Sequence, residues 1–157
     1  MCTTGFSASS FLTNDEDTTA FGKALAPLLV AGDAVLFSGP IGAGKTHLAR
    51  AIIQARLTVT EDVPSPTYTL VQTYVTTDCD IWHADLYRLG DSSEIEELGL
   101  LDALDTAIVL IEWPDRLVSA PDDALHVTLT PLAEGRRIDI TSSDLRWDCL
   151  KEYLTHA

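Results

Sequence analysis

Lysine is nearly missing from this 157-residue chain, which has only Lys23, Lys45 and Lys151. With arginine the basic residues number 10, against 24 acids, for a net charge of −14. A surface so short of positive charge repels phosphate backbones and disfavours unaided binding to DNA or RNA. The acid excess suits solubility, the ionic habits of the source, or a basic partner protein. Cysteine is scarce too. Cys2, Cys79 and Cys149 are odd in number and widely spaced, with no CxxC pair or Cys/His cluster. Neither a zinc site nor a disulfide framework is expected, and idle thiols in a reducing compartment are. No apolar run approaches the roughly 20 residues that span a bilayer. The opening MCTTGFSASSF has no basic residue ahead of its first apolar stretch, unlike a secretory signal. The expectation is a cytoplasmic protein without a membrane partner.

What is present is ordinary for a globular domain: 46% hydrophobic and 22% charged residues. The length suits one domain over residues 1–157, and no repeat, linker or low-complexity stretch divides it. Residues 6–12 read as a short strand. Thr13 to Asp17 supply capping groups and acids for a helix over Thr18 to Val30, with Phe21, Leu25, Leu28 and Leu29 at helical spacing and Pro27 disturbing the last turn. Gly32-Asp33 turns the chain into Ala34 to Phe37, an apolar run suited to a central strand buried on both faces. Lys45 to Leu57 is expected to be helical, with Leu48, Ile52 and Ile53 on one face. Leu70 to Thr76 and Asp80 to Leu86 predict a hairpin, and Ser92-Ser93 caps a short helix over Glu94 to Leu98. Leu101 to Leu104 continues irregularly, and Ala107 to Ile111 is a second apolar strand. Ala124 to Thr130 and Arg136 to Thr141 form a strand pair about Glu134-Gly135, and a final helix runs from about Ser143 to Leu154. The resulting fold class is α/β, a P-loop NTPase-type domain with a central mixed, mostly parallel sheet flanked by helices.

Gly39 to Thr46 reads GPIGAGKT and meets the pattern G-x-x-x-x-G-K-[ST]. Glycines allow positive φ and close wrapping, so successive N–H groups point at phosphate oxygens. The helix that follows adds its N-terminal dipole. Lys45 brings a point charge to the β- and γ-phosphates, and the Thr46 hydroxyl is placed for Mg²⁺. A chance match in a glycine-rich turn would not require the strand before the loop and the amphipathic helix after it, and both are predicted. His47 reads as a surface histidine with no catalytic role.

A phosphate loop of this kind needs an acid at the end of a neighbouring strand. Glu112 follows AIVLI directly, and Asp85 lies in HADLYR. One would sit on the metal and one would position or polarise water; either also suits a helix cap or a solvated loop. Trp113 reads as a packing aromatic or a wall of the site. Thr67, between Pro66 and Tyr68, is a candidate to sense the γ-phosphate and equally a turn-capping threonine.

Taken in order, GPIGAGKT, SPTYTLVQTY (Ser65 to Tyr74), HADLYRL (His83 to Leu89), EIEELGLLD (Glu94 to Asp102) and LIEWPDR (Leu110 to Arg116) resemble the TsaE family, bacterial ATPases required for threonylcarbamoyl modification of adenosine 37 in tRNA. The resemblance spans Thr18 to about Leu117. It implies ATP and Mg²⁺ as cofactors, with Gly39, Ile41, Gly42, Ala43, Gly44, Lys45 and Thr46 around the phosphates. It further implies Thr46 and Glu112 on the metal, and Lys45, Asp85 and Glu112 in hydrolysis. Thr67 would lie in a switch-like loop, and Trp113, Arg136 and Thr18 would lie beside the nucleotide. The chain departs from the pattern at Pro40, where an acid is common, and at His47, where a small hydroxyl residue is common. Neither change removes a phosphate ligand. The implied partners are the TsaD and TsaB subunits, with tRNA reached only through them. A small-molecule P-loop kinase is the alternative; Arg88 and Arg116 are its only mid-chain candidates for a lid arginine, and no basic lid segment appears. A Ras-type GTP switch lacks its N-K-x-D string, since Asn14 is the sole asparagine.

Overall fold

The computed structural model describes residues 5–59, 61–66, 69–89, 98–117 and 120–150. Seven strands form one sheet: β1 (Phe6–Leu12), β2 (Ala34–Ser38), β3 (Val71–Val75), β4 (Asp80–Asp85), β5 (Ala107–Glu112), β6 (Leu125–Pro131) and β7 (Arg136–Ser142). The strand order is β1-β7-β6-β2-β5-β4-β3. The four central strands β6, β2, β5 and β4 run parallel to one another. The outer pairings β1 with β7, β6 with β7, and β3 with β4 are antiparallel. The sheet is therefore mixed, and its parallel part is the centre.

The fully buried runs in β2 and β5 explain that arrangement. Alternation along each strand sends Val35, Phe37, Ile108 and Leu110 to one face and Leu36, Val109 and Ile111 to the other, and all are buried. Each such side chain contributes roughly 2 kcal/mol when removed from water. The first face is covered by α1 (Asp15–Leu25) and α2 (Lys45–Arg56). Gly22 lets these helices approach closely, since a Cβ there would stand 2.6 Å from that of Ala51. The second face is covered by α3 (Leu100–Ala103) and the loops around it.

Local signals are met with adjusted limits. Asn14 caps α1 by accepting from the Asp17 N–H at 2.9 Å, and the Asp17 carboxylate accepts from the Thr13 N–H. The helix gives way at Pro27 to a 3-10 turn, Ala26–Leu28. Leu100–Ala103 is a short helix where irregular chain was expected. The segment expected as a C-terminal helix is a 3-10 helix over Leu145–Leu150; its continuation to Leu154, and most of the helix expected over Glu94 to Leu98, lie outside the described residues. Among the described residues no helix is long and apolar enough to cross a membrane.

Candidate functional site

The glycine loop joins the C-terminal end of β2 to the N-terminus of α2, where strand pairing ends and helix N–H groups are left without intrahelical acceptors. Gly39, Gly42 and Gly44 all have positive φ, and Gly44 caps α2 at φ 100°. A Cβ on Gly44 would overlap the Arg136 guanidinium. Parallel pairing of β2, β5 and β4 brings the ends of three strands together beside this loop, with Phe37 opposite Glu112 and Asp85 opposite Glu112 on its other side. That is where ligands bind in open α/β sheets, beyond the carboxyl ends of the strands.

A cavity of about 610 Å³ opens there. Ile41, Gly42, Gly44, Lys45 and Thr46 line it from the loop, Asp85 and Glu112 from the strand ends, and Trp113 and Arg136 from the rim. Lys45 is nearly buried. Its ammonium donates to the carbonyls of Gly39 at 2.5 Å and Pro40 at 2.9 Å and lies 4.1 Å from the Trp113 ring centroid. Burial pulls the Lys45 pKa below the ordinary lysine value; Glu112, Asp85 and Asp115 oppose that pull. The Thr46 hydroxyl donates to Glu112 Oε1 at 2.7 Å, and Glu112 Oε2 is bonded to His83 Nε2 at 2.7 Å. Asp85 is buried, and its Oδ1 accepts from the Tyr87 N–H at 2.9 Å.

Trp113 has φ 61°, an uncommon conformation for a bulky residue. It stands where β5 ends and a 3-10 turn over Pro114–Arg116 begins, and it packs on Tyr87 with ring centroids 4.7 Å apart. The turn carries the indole out of the sheet and across the loop lysine. Arg136, at the start of β7, donates to Asp15 Oδ1 at 2.9 Å and to the Thr18 hydroxyl at 3.2 Å.

The expected residues are thus mostly brought together. Thr18 is an exception: it is fully buried and is not among the cavity's lining residues, so its place is behind Arg136. Ala43 is buried beneath the loop and Gly39 contributes its carbonyl to Lys45. Thr67 lies outside the described residues. His47 is half-buried and lines the cavity; its Nε2 pairs with the Thr19 hydroxyl at 2.9 Å, tying α2 to α1. Asp15 and Tyr87 belong to the lining without having been singled out in the sequence. His83 joins the site from inside the sheet; its period-2 spacing from Asp85 on one strand was the available signal. Thr46 and Glu112 are hard oxygen donors. Among the described residues no group of three or more His, Cys, Asp or Glu side chains could hold a metal ion, so any cation here would take most of its ligands from a bound anion and water.

Residues 12–138 match the family model described as threonylcarbamoyl adenosine biosynthesis protein TsaE. Among curated proteins, the tRNA threonylcarbamoyladenosine biosynthesis protein TsaE of Rickettsia felis is 41% identical over 130 residues, covering 81% of this chain and 75% of its own. The protein of the same name from Mycobacterium leprae is 36% identical over 146 residues, covering 87% and 89%. Among solved structures, Bacillus subtilis YdiB superposes with a TM-score of 0.70 at 23% identity, covering 99% of this chain and 97% of that one. That likeness speaks for the fold. With the family model matching most of its length and relatives above one-third identity, this chain belongs to the TsaE family.

Proposed function

We propose that this protein is a magnesium-dependent ATPase that serves threonylcarbamoyl modification of tRNA by acting on a TsaD–TsaB complex. The observation that carries the reading is the contact between Thr46 and Glu112 beneath the glycine loop. Their oxygens stand 2.7 Å apart, close to the roughly 3 Å that separates neighbouring ligands of an octahedral magnesium ion. An ion that keeps several waters and takes phosphate oxygens suits a site where two of the described side chains, Thr46 and Glu112, offer oxygens. When held by Thr46 and Glu112, Mg²⁺ would neutralise negative charge on the nucleotide phosphates.

The chain's own groups divide the remaining work. Backbone N–H groups of the glycine loop would face the phosphates, apart from that of Ala43, which donates to the Pro40 carbonyl at 3.1 Å. Lys45 has three donors, now shared between two carbonyls and an indole face, and phosphate oxygens are stronger acceptors for an ammonium than either. Asp85, buried beside Glu112, would hold the attacking water. Trp113 and Tyr87 would wall the site, and Arg136 would flank it from β7. The Arg136 guanidinium is engaged by Asp15 and Thr18, so hydrolysis by the protein alone is expected to be slow and stimulated by its partners. The net charge of −14 fits a protein that leaves tRNA to other subunits.

ATP hydrolysis by the purified protein, with and without TsaD and TsaB, tests this reading. The expected result is slow turnover that rises with the partners and disappears in Lys45→Ala. No association and no stimulation would overturn the partnership. Transfer of labelled phosphate to a metabolite instead of water would replace the ATPase with a kinase.

A further inference from the structure

Glu112 has two carboxylate oxygens, and the glycine loop engages only one of them. Oε1 accepts from Thr46; Oε2 is bonded to His83 Nε2 at 2.7 Å. His83 is fully buried. It points to the same face of β4 as Asp85, two residues on, and sits opposite Leu110 in the register that sets Asp85 opposite Glu112. An ionised carboxylate can only accept, so Nε2 is the donor in this bond. Nδ1 is buried without a hydrogen-bond partner. Such an arrangement is costly for packing alone, because an apolar side chain of similar size would fill the space without an unpaired nitrogen. Among the described residues, the one polar interaction the ring makes is with Glu112.

We propose that His83 is a positioning residue that fixes the Glu112 carboxylate for magnesium–nucleotide binding. The inference rests on the nucleotide reading above. In that reading Thr46 and Glu112 would hold the cation, and the bond from His83 to Oε2 would remain to set the direction in which Oε1 points. Partners that orient a metal-binding side chain typically change metal affinity 10- to 100-fold when removed.

The test is the Mg²⁺ concentration needed for half-maximal binding of a non-hydrolysable ATP analogue, followed by tryptophan fluorescence. The native protein is compared with His83→Gln and His83→Asn. Glutamine can place an amide N–H near the position of Nε2, whereas asparagine is one carbon short. Both are polar and smaller than imidazole, so a loss of packing alone would affect both. The expected result is a Mg²⁺ requirement raised about 10- to 100-fold in His83→Asn and near native in His83→Gln. The affinity for the analogue without Mg²⁺ should be alike in all three. Equal shifts in the two variants, or no shift in either, would overturn the proposal. If His83→Asn does not fold, His83→Leu, which fills the space without an N–H, takes its place on the same terms: a raised requirement beside a near-native His83→Gln supports the proposal, and equal shifts or none overturn it. Failure of the native protein to bind the analogue would instead remove the nucleotide reading, and this inference with it.

Discussion

The indole of Trp113 lies across the ammonium of Lys45, with Nζ 4.1 Å from the ring centroid. A desolvated cation over an indole face is stabilised by about 2 kcal/mol, and here it couples the loop lysine to the rim of the cavity. Phosphates that draw Lys45 off the loop carbonyls should change the electronic surroundings of this tryptophan. Adding ATP to the native protein is expected to change tryptophan emission. Trp113→Phe should keep most of the affinity and lose that change, and Trp113→Ala should weaken affinity about tenfold, the equivalent of ~1.4 kcal/mol. An unaltered emission response in Trp113→Phe would place the nucleotide elsewhere.

Lys45 also sets a pH limit. Its pKa is lowered from 10.5, by burial first, against the pull of Glu112, Asp85 and Asp115. The side chain is charged only below its pKa, so the lowered value moves the loss of charge to less alkaline solution. Nucleotide affinity should begin to fall at a pH below that of an ordinary lysine. Lys45→Arg stays charged throughout and should bind more weakly near neutrality yet hold its affinity further into the alkaline range. The linked effect on stability has the opposite sense. A depressed lysine disfavours folding while protonated, and that cost fades as pH rises through the folded pKa. Isothermal titrations from about pH 7 to 10 check the binding profile; superimposable profiles for the two proteins would contradict it.

Two glycines of the loop separate backbone strain from crowding. Gly42 and Gly44 both have positive φ, at 83° and 100°, but a Cβ on Gly42 meets nothing within 4 Å, whereas one on Gly44 runs into Arg136. Each alanine variant should lose roughly 1 kcal/mol to the left-handed backbone. Gly44→Ala must also push the guanidinium away from Thr18 and Asp15, so its melting temperature should fall further than that of Gly42→Ala. Equal losses in thermal unfolding would mean that Arg136 moves at no cost.

The phosphate loop and its two flanking elements were legible because their signals are local: an apolar run, spaced glycines, then helical periodicity. Glu112 was legible for the same reason, as the acid that ends AIVLI. The contacts that finish the site are not local. His83 meets Glu112 across 29 positions, and Arg136 meets Asp15 across 121, and both depend on strand order and register that no short string encodes. The mixed sheet and its hairpins, β3 with β4 and β6 with β7, were legible from local turns, but the antiparallel addition of β1 was not, because β7 pairs with it from the other end of the chain. The expected C-terminal helix shows the reverse failure. Its spacing suits a helix, but over Leu145–Leu150 the backbone is 3-10, and Arg146 and Trp147 are directed into tertiary contacts.

Those contacts are a clamp between the end of the described chain and the start of the central sheet. Arg146 makes a two-pronged bond to Asp33, with NH1 2.6 Å from Oδ1 and NH2 2.7 Å from Oδ2, and also donates to the Leu28 carbonyl at 3.0 Å. Asp33 is buried and already accepts from the Val30 N–H at 2.8 Å, which shapes the turn into β2. Its hydrogen bonds, first among the causes, hold the Arg146 pKa above the ordinary arginine value. The guanidinium also lies over the Trp147 ring, 4.1 Å from its centroid. Arg146→Ala would leave a buried carboxylate with one fewer counter-charge, whereas the arginine itself is partly exposed and its Coulombic share is screened. The net cost is expected to be about 2 kcal/mol, which for a domain of this size lowers the melting temperature by about 4–8 °C. Arg146→Lys keeps the charge but not the fork and should fall between the two. Removing both charges, in Arg146→Met with Asp33→Asn, should cost less than Arg146→Ala alone, because no uncompensated buried charge remains. Thermal unfolding followed by circular dichroism measures all four proteins, and a melting temperature for Arg146→Ala within a degree of native would show that the clamp does not hold the fold.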